Sequence, residues 1–320
     1  MGAFPKTLME FEERFGTEQA CRDYVFRLRW PEGFRCPRCG HDKTYSTGRL
    51  QIECRGCSYQ VSIIAGTIFQ GSRSPLGLWF RAMWLVASQK TGASALNLQW
   101  VLGLGSYQTA WTWLHKLRRA MVRPGRDRLD GRVEVDETFW GAPDKEARGR
   151  QAGTKTLIAI AVEEDGKGMG RIRLRRIPNA SGESLERFVR EAIEPGSVIH
   201  TDGWEGYGVW LDKDYRHEVT VLKGKGPEAA SELLPRVHRV ASLLKRWLMG
   251  THQGAISHEH LDYYLDEFTF RFNRRSSKSR GLLFFRLLEQ AVAVQPTSYR
   301  AMVKGARGKK AGAPQRVGGS

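Results

Sequence analysis

Apolar and polar positions alternate in two different ways along the chain. After residue 130, short apolar runs typical of β-strands are separated by segments in which apolar residues recur at helical spacing. The pattern predicts three strands, a helix, a strand, a short helical stretch, a fifth strand and then helices from about residue 230 onward. The segments that carry the five strands are GRVEVDETFWG, TKTLIAIAVEE, GRIRLRRIPNA, GSVIHTDGWEGY and YRHEVTVL.

This order of strands and helices predicts the fold class. Three consecutive strands followed by alternating helices and strands are typical of the ribonuclease H-like α/β fold, in which helices cover a mixed five-stranded sheet. We therefore predict a domain of this class over residues 123–300. A basic, glycine-containing loop, APDKEARGRQAGTK, should join its first two strands, and the polar segment VRPGRDRLDG should link it to the preceding residues.

Residues 71–122 have a helical pattern. A short helix, a break at GLGS and the amphipathic helix SYQTAWTWLHKLRRAM together predict a helix-turn-helix-like segment that contacts DNA. The alternative is an ordinary helical bundle with a solvated basic face. Ala110, Trp113, Leu114 and Leu117 should face the core. The predicted candidates for phosphate or base contacts lie on the other faces of the helix: Tyr107, Gln108, Trp111, His115, Lys116, Arg118 and Arg119.

Four of the five cysteines form two CxxC pairs, CPRC (Cys36, Cys39) and CRGC (Cys54, Cys57). Two such pairs supply the four thiolates of a tetrahedral structural Zn²⁺ site, and the residues between them suit a turn followed by a strand. A redox role is the alternative, but neither pair begins an obvious helix. We predict a zinc ribbon within residues 1–70, and we expect Cys21 to be a buried small apolar residue.

The charge balance narrows the choice of partner. Lys and Arg total 51 against 34 Asp and Glu, which gives a net charge of +17 and suggests a polyanion such as nucleic acid. The alternative is a protein that is basic without such a partner. No apolar run approaches the roughly 20 residues of a membrane span, and MGAFPKTLMEFEERFG is not a secretory signal. We therefore expect a cytoplasmic protein with no membrane partner, and a disordered basic tail over residues 301–320.

Two acids end predicted strands. Asp136 lies in VEVDE and Asp202 in VIHTDG, so both side chains point into one crevice if the first and fourth strands are neighbours. Carboxylates at such a site hold Mg²⁺ or Mn²⁺, and a pair of these ions promotes phosphoryl transfer on nucleic acid. The alternative is that each aspartate only caps a turn, as in Asp202-Gly203.

Several long motifs resemble one family. FRCPRCGHDKTY, AGTIFQGSRSPLGLWFRAMW, VEVDETFWG, HTDGWEGY, LLKRWLMGTHQGAISHEHLDYYLDEFTFRFNRR and RGLLFFRLL are similar to prokaryotic insertion-sequence transposases that join a zinc ribbon to a DDE-type integrase core, relatives of the Merlin elements. The resemblance implies binding of terminal inverted repeats, metal-dependent cleavage and strand transfer into target DNA, with Asp136 and Asp202 as the first two acids. Pairing of two element ends implies at least a dimer, associated with the nucleoid.

The third acid of such transposases has no direct counterpart. The family places a Glu or Asn on the helix after the fifth strand, with a Lys one or two turns later, but LLPRVHRVASLLKRWLMG contains no acid. Lys245 matches the lysine, and His238 lies seven residues before it on the same helix face, so we predict His238 as the third ligand. Other alignments point to Leu243, which cannot bind metal, or to Glu267, whose surroundings favour a structural role or a pair with Arg271.

The remaining expectations concern neighbouring charges and rival functions. Glu137 is expected to support the site, and Glu205 to match the dipole of a helix N-terminus. Arg271, Arg274 and Arg275 are expected to track DNA phosphates. Two rival functions remain: a structure-selective nuclease on the same fold, and a catalytically inactive DNA-binding derivative of a transposase.

Overall fold

The computed structural model describes residues 4–48, 50–123, 125–141, 155–208, 210–220 and 233–303. Almost all of the predicted loop APDKEARGRQAGTK and residues 304–320 of the predicted disordered tail lie outside the described residues. Residues 301–303 belong instead to a short packed helix, in which Met302 is buried.

The N-terminal part of the chain consists of helices and a small sheet. Its helices are α1 (Leu8–Phe15), α2 (Glu18–Arg29), α3 (Leu76–Ser88), α4 (Ala95–Leu102) and α5 (Tyr107–Ala120). Its antiparallel sheet has the order β1-β2-β3, from β1 (Thr44–Gly48), β2 (Gln51–Cys54) and β3 (Gln60–Ser62). The segment between the two CxxC pairs thus holds a hairpin of two strands, where the sequence predicted only one.

The predicted break at GLGS separates α4 from α5. Gly103 ends α4 with a φ of 61°, in the left-handed region that glycine adopts without a steric penalty. Ser106 begins α5 by accepting a hydrogen bond from the backbone N–H of Thr109. The four residues predicted to face the core are all buried: Ala110, Trp113, Leu114 and Leu117.

The C-terminal part contains the large sheet. Its strands are β4 (Arg132–Trp140), β5 (Thr156–Asp165), β6 (Gly168–Ile177), β7 (Val198–Thr201) and β8 (Arg216–Val219). Its helices are α6 (Gly182–Ala192), α7 (Pro235–His252), α8 (Leu261–Phe272), α9 (Arg280–Ala293) and α10 (Tyr299–Val303). The sheet order is β6-β5-β4-β7-β8, with β4, β5 and β6 antiparallel and β4, β7 and β8 parallel. This is the predicted ribonuclease H-like fold. The helical stretch expected between β7 and β8 consists of two 3₁₀ turns.

The alternation of side chains along β4 determines which residues each face of the sheet carries. Val133 and Val135 pack with α6 on one face. Glu134 and Asp136, one residue out of phase, face the opposite side, where α7 and α8 pack over β5 and β6. A strand of nine residues therefore contributes apolar contacts to one core and carboxylates to the other side.

A third core joins residues that are distant in sequence. The side chains of α9 pack against α3 and the other N-terminal helices, and the same core includes Cys36 and Cys54. Helix α9 thus packs with the N-terminal residues, although the predicted boundaries assigned it to the ribonuclease H-like domain. Among the described helices, none combines the length and the apolar character that crossing a membrane requires.

Candidate active site

Two parallel strands bring Asp136 and Asp202 to neighbouring positions. The register of β4 and β7 pairs Val133 with Ile199 and Glu134 with His200. Continued by two residues, the same register places Asp136 beside Asp202, which directly follows β7. Asp136 thus lies in the middle of β4 and not, as the sequence predicted, at its end, because β4 continues four residues further. It is nevertheless level with the end of β7, so the two acids are neighbours, in the arrangement on which a shared cation site depends.

Asp202 also holds the turn that follows it. Its Oδ1 accepts a hydrogen bond of 3.1 Å from the backbone N–H of Trp204, and Gly203 has a φ of 79°. The turn-capping role is therefore real. It does not exclude a second role, because a carboxylate has two oxygens and several lone pairs.

His238 lies opposite Asp136 on α7. Its Nε2 is 3.9 Å from Oδ2 of Asp136, beyond hydrogen-bond distance, and this nitrogen is buried without a hydrogen-bond partner among the described residues. Burial lowers the pKa of His238, against the charges of Glu134 and Asp202, which raise it. A neutral imidazole has a lone pair for a cation. Two ligand atoms of one ion, each about 2.1 Å from it, lie roughly 3 to 4 Å apart, so the two groups fit one divalent ion.

Lys245 and Leu243 differ sharply in their surroundings. Burial lowers the pKa of Lys245, the charge of Lys155 lowers it further, and the negative charge of Asp136 opposes both effects. Its ammonium therefore lies within electrostatic reach of Asp136. Leu243 packs against the apolar core between α7 and the sheet. The alternative alignment that makes Leu243 the third ligand therefore assigns that role to an apolar side chain packed against a core.

Glu134 caps the helix that carries His238. Its Oε2 accepts hydrogen bonds from the backbone N–H groups of Arg236 (2.8 Å) and Val237 (2.9 Å), in the first turn of α7. Its Oε1 accepts a third bond, of 2.8 Å, from the Arg236 guanidinium, and the side chain is fully buried. Glu134 was not among the candidate residues predicted from the sequence. The available signal was a charged residue two positions before Asp136, and therefore on the same strand face.

A group of Glu134, Glu164 and His200 has ligand atoms within 4.8 Å of one another. Arginines already occupy these carboxylates, because Arg236 pairs with both acids and Arg132 pairs with Glu164 at 2.8 Å. The described contacts therefore make this group an ion-pair network that holds α7 on β4 and β5. An added cation would have to displace a guanidinium.

Glu137 and Glu205 have different surroundings from those expected. Glu137 accepts a hydrogen bond of 2.6 Å from the hydroxyl of Tyr207, a buried residue that the sequence analysis did not single out. Burial raises the pKa of Tyr207 well above its usual value, and the charges of Glu137 and Asp136 add to this effect. Glu205 is exposed and begins a 3₁₀ turn of three residues rather than a helix, so the expected helix dipole is absent there.

Glu267 lies away from this cluster, on α8. Its carboxylate pairs with Arg118 (2.7 Å) and Arg271 (2.8 Å), and only 1% of the side chain is exposed. Although burial alone would raise the pKa of Glu267, the two guanidinium groups lower it to about 2. Glu267 is therefore a structural anion that joins α8 to α5, and it is not available as a third metal ligand.

The four paired cysteines form one compact cluster. The sulfurs of Cys36 and Cys57 are 3.6 Å apart, as are those of Cys39 and Cys54, and all four lie within 4.8 Å of one another. Four sulfurs about 2.3 Å from a tetrahedral Zn²⁺ lie about 3.8 Å from each other, so the cluster fits this ion. Cys21 lies outside the cluster. As expected, it is buried, and burial raises the pKa of its thiol to about 12.

Comparison with known proteins covers both parts of the chain. Residues 128–273 match the ISXO2-like transposase domain, and residues 16–60 match the transposase zinc-ribbon domain. The chain therefore contains the zinc-ribbon domain and the ISXO2-like domain of insertion-sequence transposases. A similar protein is the uncharacterized protein in transposable element ISH50 of Halobacterium salinarum. It is 24% identical over 275 residues, which are 80% of this chain and 91% of that protein. The predicted family is confirmed.

The residues of α5 proposed to contact DNA fall into two groups in this transposase. Arg118 has 2% of its side chain exposed and is bound to Glu267, and His115 is fully buried and stacks on Trp111. The prediction of DNA contacts is wrong for Arg118 and His115, because they lie on the face of α5 that packs against α8. Lys116 is partly buried over the Trp79 ring. The N-terminal end of α5 is open, with Tyr107 and Gln108 exposed.

Arg271 and Arg275 also hold the fold of the transposase together. Arg271 pairs with Glu267 and donates to the backbone carbonyls of Val86 and Gln89, which joins α8 to the end of α3. Arg275 donates to backbone carbonyls of β6. Several of their donors are thus used within the protein, and phosphate tracking by these two residues stays a prediction. Arg274 differs, since it lines a cleft.

Proposed function

We propose that this protein is an active DNA transposase that binds the terminal inverted repeats of its element, cleaves DNA and transfers the ends to target DNA. The observation that carries the proposal is the buried, unpartnered Nε2 of His238 at 3.9 Å from Asp136, which the strand register places beside Asp202. Side chains of β4 and α7 thus approach each other next to the end of β7, where Asp202 lies, and this supports a catalytic cation site there.

Asp136, Asp202 and His238 would hold two Mg²⁺ or Mn²⁺ ions, which would supply stabilisation of the attacking and leaving oxygens in an in-line phosphoryl transfer. Lys245 would bind a DNA phosphate next to the scissile bond, because its ammonium shares the helix face of His238. Glu134 would fix the first turn of α7 and so the position of the imidazole. Tyr207 would hold Glu137, the neighbour of Asp136, away from solvent.

The partners and location follow from this function. The zinc ribbon and the open end of α5, together with Lys116 and Arg119, would bind the terminal repeats. The active complex would contain at least two copies of the chain, since two element ends must be joined. The place of action would be the cytoplasm, at the nucleoid, where the DNA of the element lies.

A strand-transfer assay with a pre-cleaved terminal-repeat duplex and Mg²⁺ or Mn²⁺ tests the proposal. We expect transfer products from the wild type and none from Asp136→Ala. His238→Ala should lose at least about 100-fold in rate, because a metal ligand is removed, while His238→Glu, which restores an acid, should retain more activity. Glu205→Gln is the matched control, because it removes an exposed acid three residues after Asp202, and it should transfer at the wild-type rate.

The same assay separates the rival functions. Hydrolysis without transfer would indicate a nuclease, and repeat binding without any cleavage would indicate an inactive derivative. Wild-type rates in His238→Ala would refute its assignment as a ligand.

A further inference from the structure

A cleft of about 650 Å³ lies where the N-terminal core meets the edge of the large sheet. The linker before β4, strand β6, helix α8 and helix α9 all contribute to its walls. Basic residues outnumber acidic ones in the lining. The arginines are Arg123, Arg126, Arg171, Arg173, Arg274 and Arg286, and the acids are Asp127, Asp266 and Glu289.

Three of these arginines form no ion pair with a carboxylate within the described part of the chain. Arg173 is buried and donates only to the backbone carbonyls of Ile172 and Asp127. Arg274 donates to the carbonyl of Phe270, and its Nε is buried without a hydrogen-bond partner among the described residues. Arg286 is exposed on the rim, on α9. Guanidinium donors therefore reach from the floor of the cleft to its mouth.

An adjoining cavity shows that this lack of partners is local. The second cavity, of about 740 Å³, shares Arg123, Arg126 and Arg173 with the first. Its other arginines are all paired: Arg128 with Glu194, Arg175 with Glu191 and Arg176 with Asp262. The three arginines found only in the second cavity thus have carboxylate partners, whereas Arg274 and Arg286, found only in the first, have none among the described residues.

Neighbouring arginines repel two of the unpaired arginines, Arg274 and Arg173. Burial lowers the pKa of Arg274 to about 10, with contributions from the charges of Arg286 and Arg123. Burial likewise lowers the pKa of Arg173 to about 10, with contributions from Arg126 and Arg171, against the charges of Glu163 and Asp127, which raise it. Gathered cations with few counter-charges destabilise the free protein, and a bound anion would remove that cost.

We propose that this cleft binds the phosphate backbone of DNA, so that one DNA segment contacts both the N-terminal core and the edge of the catalytic sheet. Phosphate matches the chemistry, because the planar guanidinium donates to phosphate oxygens in pairs. The proposal rests on the proposed function, since DNA is the substrate it names. None of the cleft arginines belongs to the catalytic cluster.

The test compares two double variants that remove the same charge. Arg274→Gln/Arg286→Gln changes the cleft, and Arg187→Gln/Arg216→Gln changes exposed arginines on α6 and on β8, the opposite edge of the sheet. Binding of a terminal-repeat duplex is measured by fluorescence anisotropy at several salt concentrations, and thermal midpoints are measured without DNA. We expect the cleft variant to bind about 10- to 100-fold more weakly, with a slope of log K against log salt smaller by about 2, since each lost phosphate contact removes about 0.9.

The thermal midpoint separates binding from folding. Because the variant relieves repulsion, its midpoint should equal or exceed that of the wild type, whereas a structural role would lower it. Equal loss of affinity in the control variant, or an unchanged slope in the cleft variant, would overturn the proposal and leave the proposed function standing. A wild type that binds no DNA would overturn both. A midpoint that rises with inorganic phosphate, with unchanged DNA affinity in the cleft variant, would assign the cleft to a small anion and overturn the DNA assignment.

Discussion

The carboxylate of Glu134 links the position of α7 to the position of Asp136 on one strand. Substitution Glu134→Gln would keep the shape, weaken two hydrogen bonds to the first turn of α7 and leave the partly buried Arg236 with one acid fewer. We expect a loss of about 2 to 4 kcal/mol in the free energy of unfolding, measured with urea. Strand transfer should also slow by about tenfold, because His238 would no longer be held opposite Asp136.

Glu218→Gln is the control for this residue. Glu218 belongs to the same network through Arg132, and within the described part of the chain no hydrogen bond or ion pair joins it to α7. Glu218→Gln should lose less than about 1 kcal/mol in the free energy of unfolding, because the pair of Glu218 with Arg132 is partly exposed. It should transfer strands at the wild-type rate. If Glu134→Gln lost stability and yet kept the wild-type rate at saturating DNA, the carboxylate would only stabilise the fold.

At the scale of single residues, the sequence predicted where a side chain lies when its position follows from the register of a strand. Asp136 lies on β4 and Asp202 directly follows the adjacent strand β7, in a register that makes them neighbours. The burial of Arg118 on α5 was not predicted, because a helix has several faces and the sequence does not show which one a distant helix covers. Arg118 and Glu267 are 149 residues apart and form one buried pair. Charge alone therefore suggested DNA contacts where the fold uses the charge internally.

At the scale of elements, α5 and α8 meet through buried polar groups. His115 is fully buried, and burial together with the charge of Arg118 lowers its pKa to about 2. Burial also lowers the pKa of His252, at the end of α7, to about 4. The elements themselves were predictable, because apolar spacing and caps are local. The contacts between these three helices were not, since they depend on tertiary packing.

The two histidines predict how stability depends on pH. Between pH 6.5 and about 4 the unfolded chain binds protons that the folded chain excludes, so stability falls as the pH falls, by at most about 1.4 kcal/mol per pH unit for each histidine. Below about pH 4.5, protonation of Glu267 in the unfolded chain adds a further loss. We expect urea unfolding of His115→Phe to show a smaller slope than the wild type between pH 6.5 and 5, although not zero, because the pKa values of His252, His200 and His238 are also lowered. The same slope in both proteins would contradict the buried neutral state of His115.

At the scale of the whole molecule, the zinc ribbon and the C-terminal helix α9 share one core, while the large sheet has two cores of its own. Cys36 and Cys54 are buried in the shared core, so loss of zinc should disturb more than a surface loop. The sequence predicted the ribbon from the spacing of its cysteines. It gave no sign that α9, more than 200 residues later, would pack on the same core.

Removal of zinc should therefore destabilise one part of the transposase before the other. The purified protein should contain about one zinc ion per chain, and a strong chelator or Cys54→Ser should lower the thermal midpoint of the N-terminal core by about 10 °C or more, because structural zinc contributes directly to folding. The unfolding of the large sheet should stay near its original temperature and separate as a second transition in calorimetry. Cys21→Ala is the matched control, because this buried cysteine lies outside the cluster. Cys21→Ala should retain the zinc, measured by metal release with a mercurial. A zinc-free wild type that still melts at its original temperature would show that the cluster has no structural role.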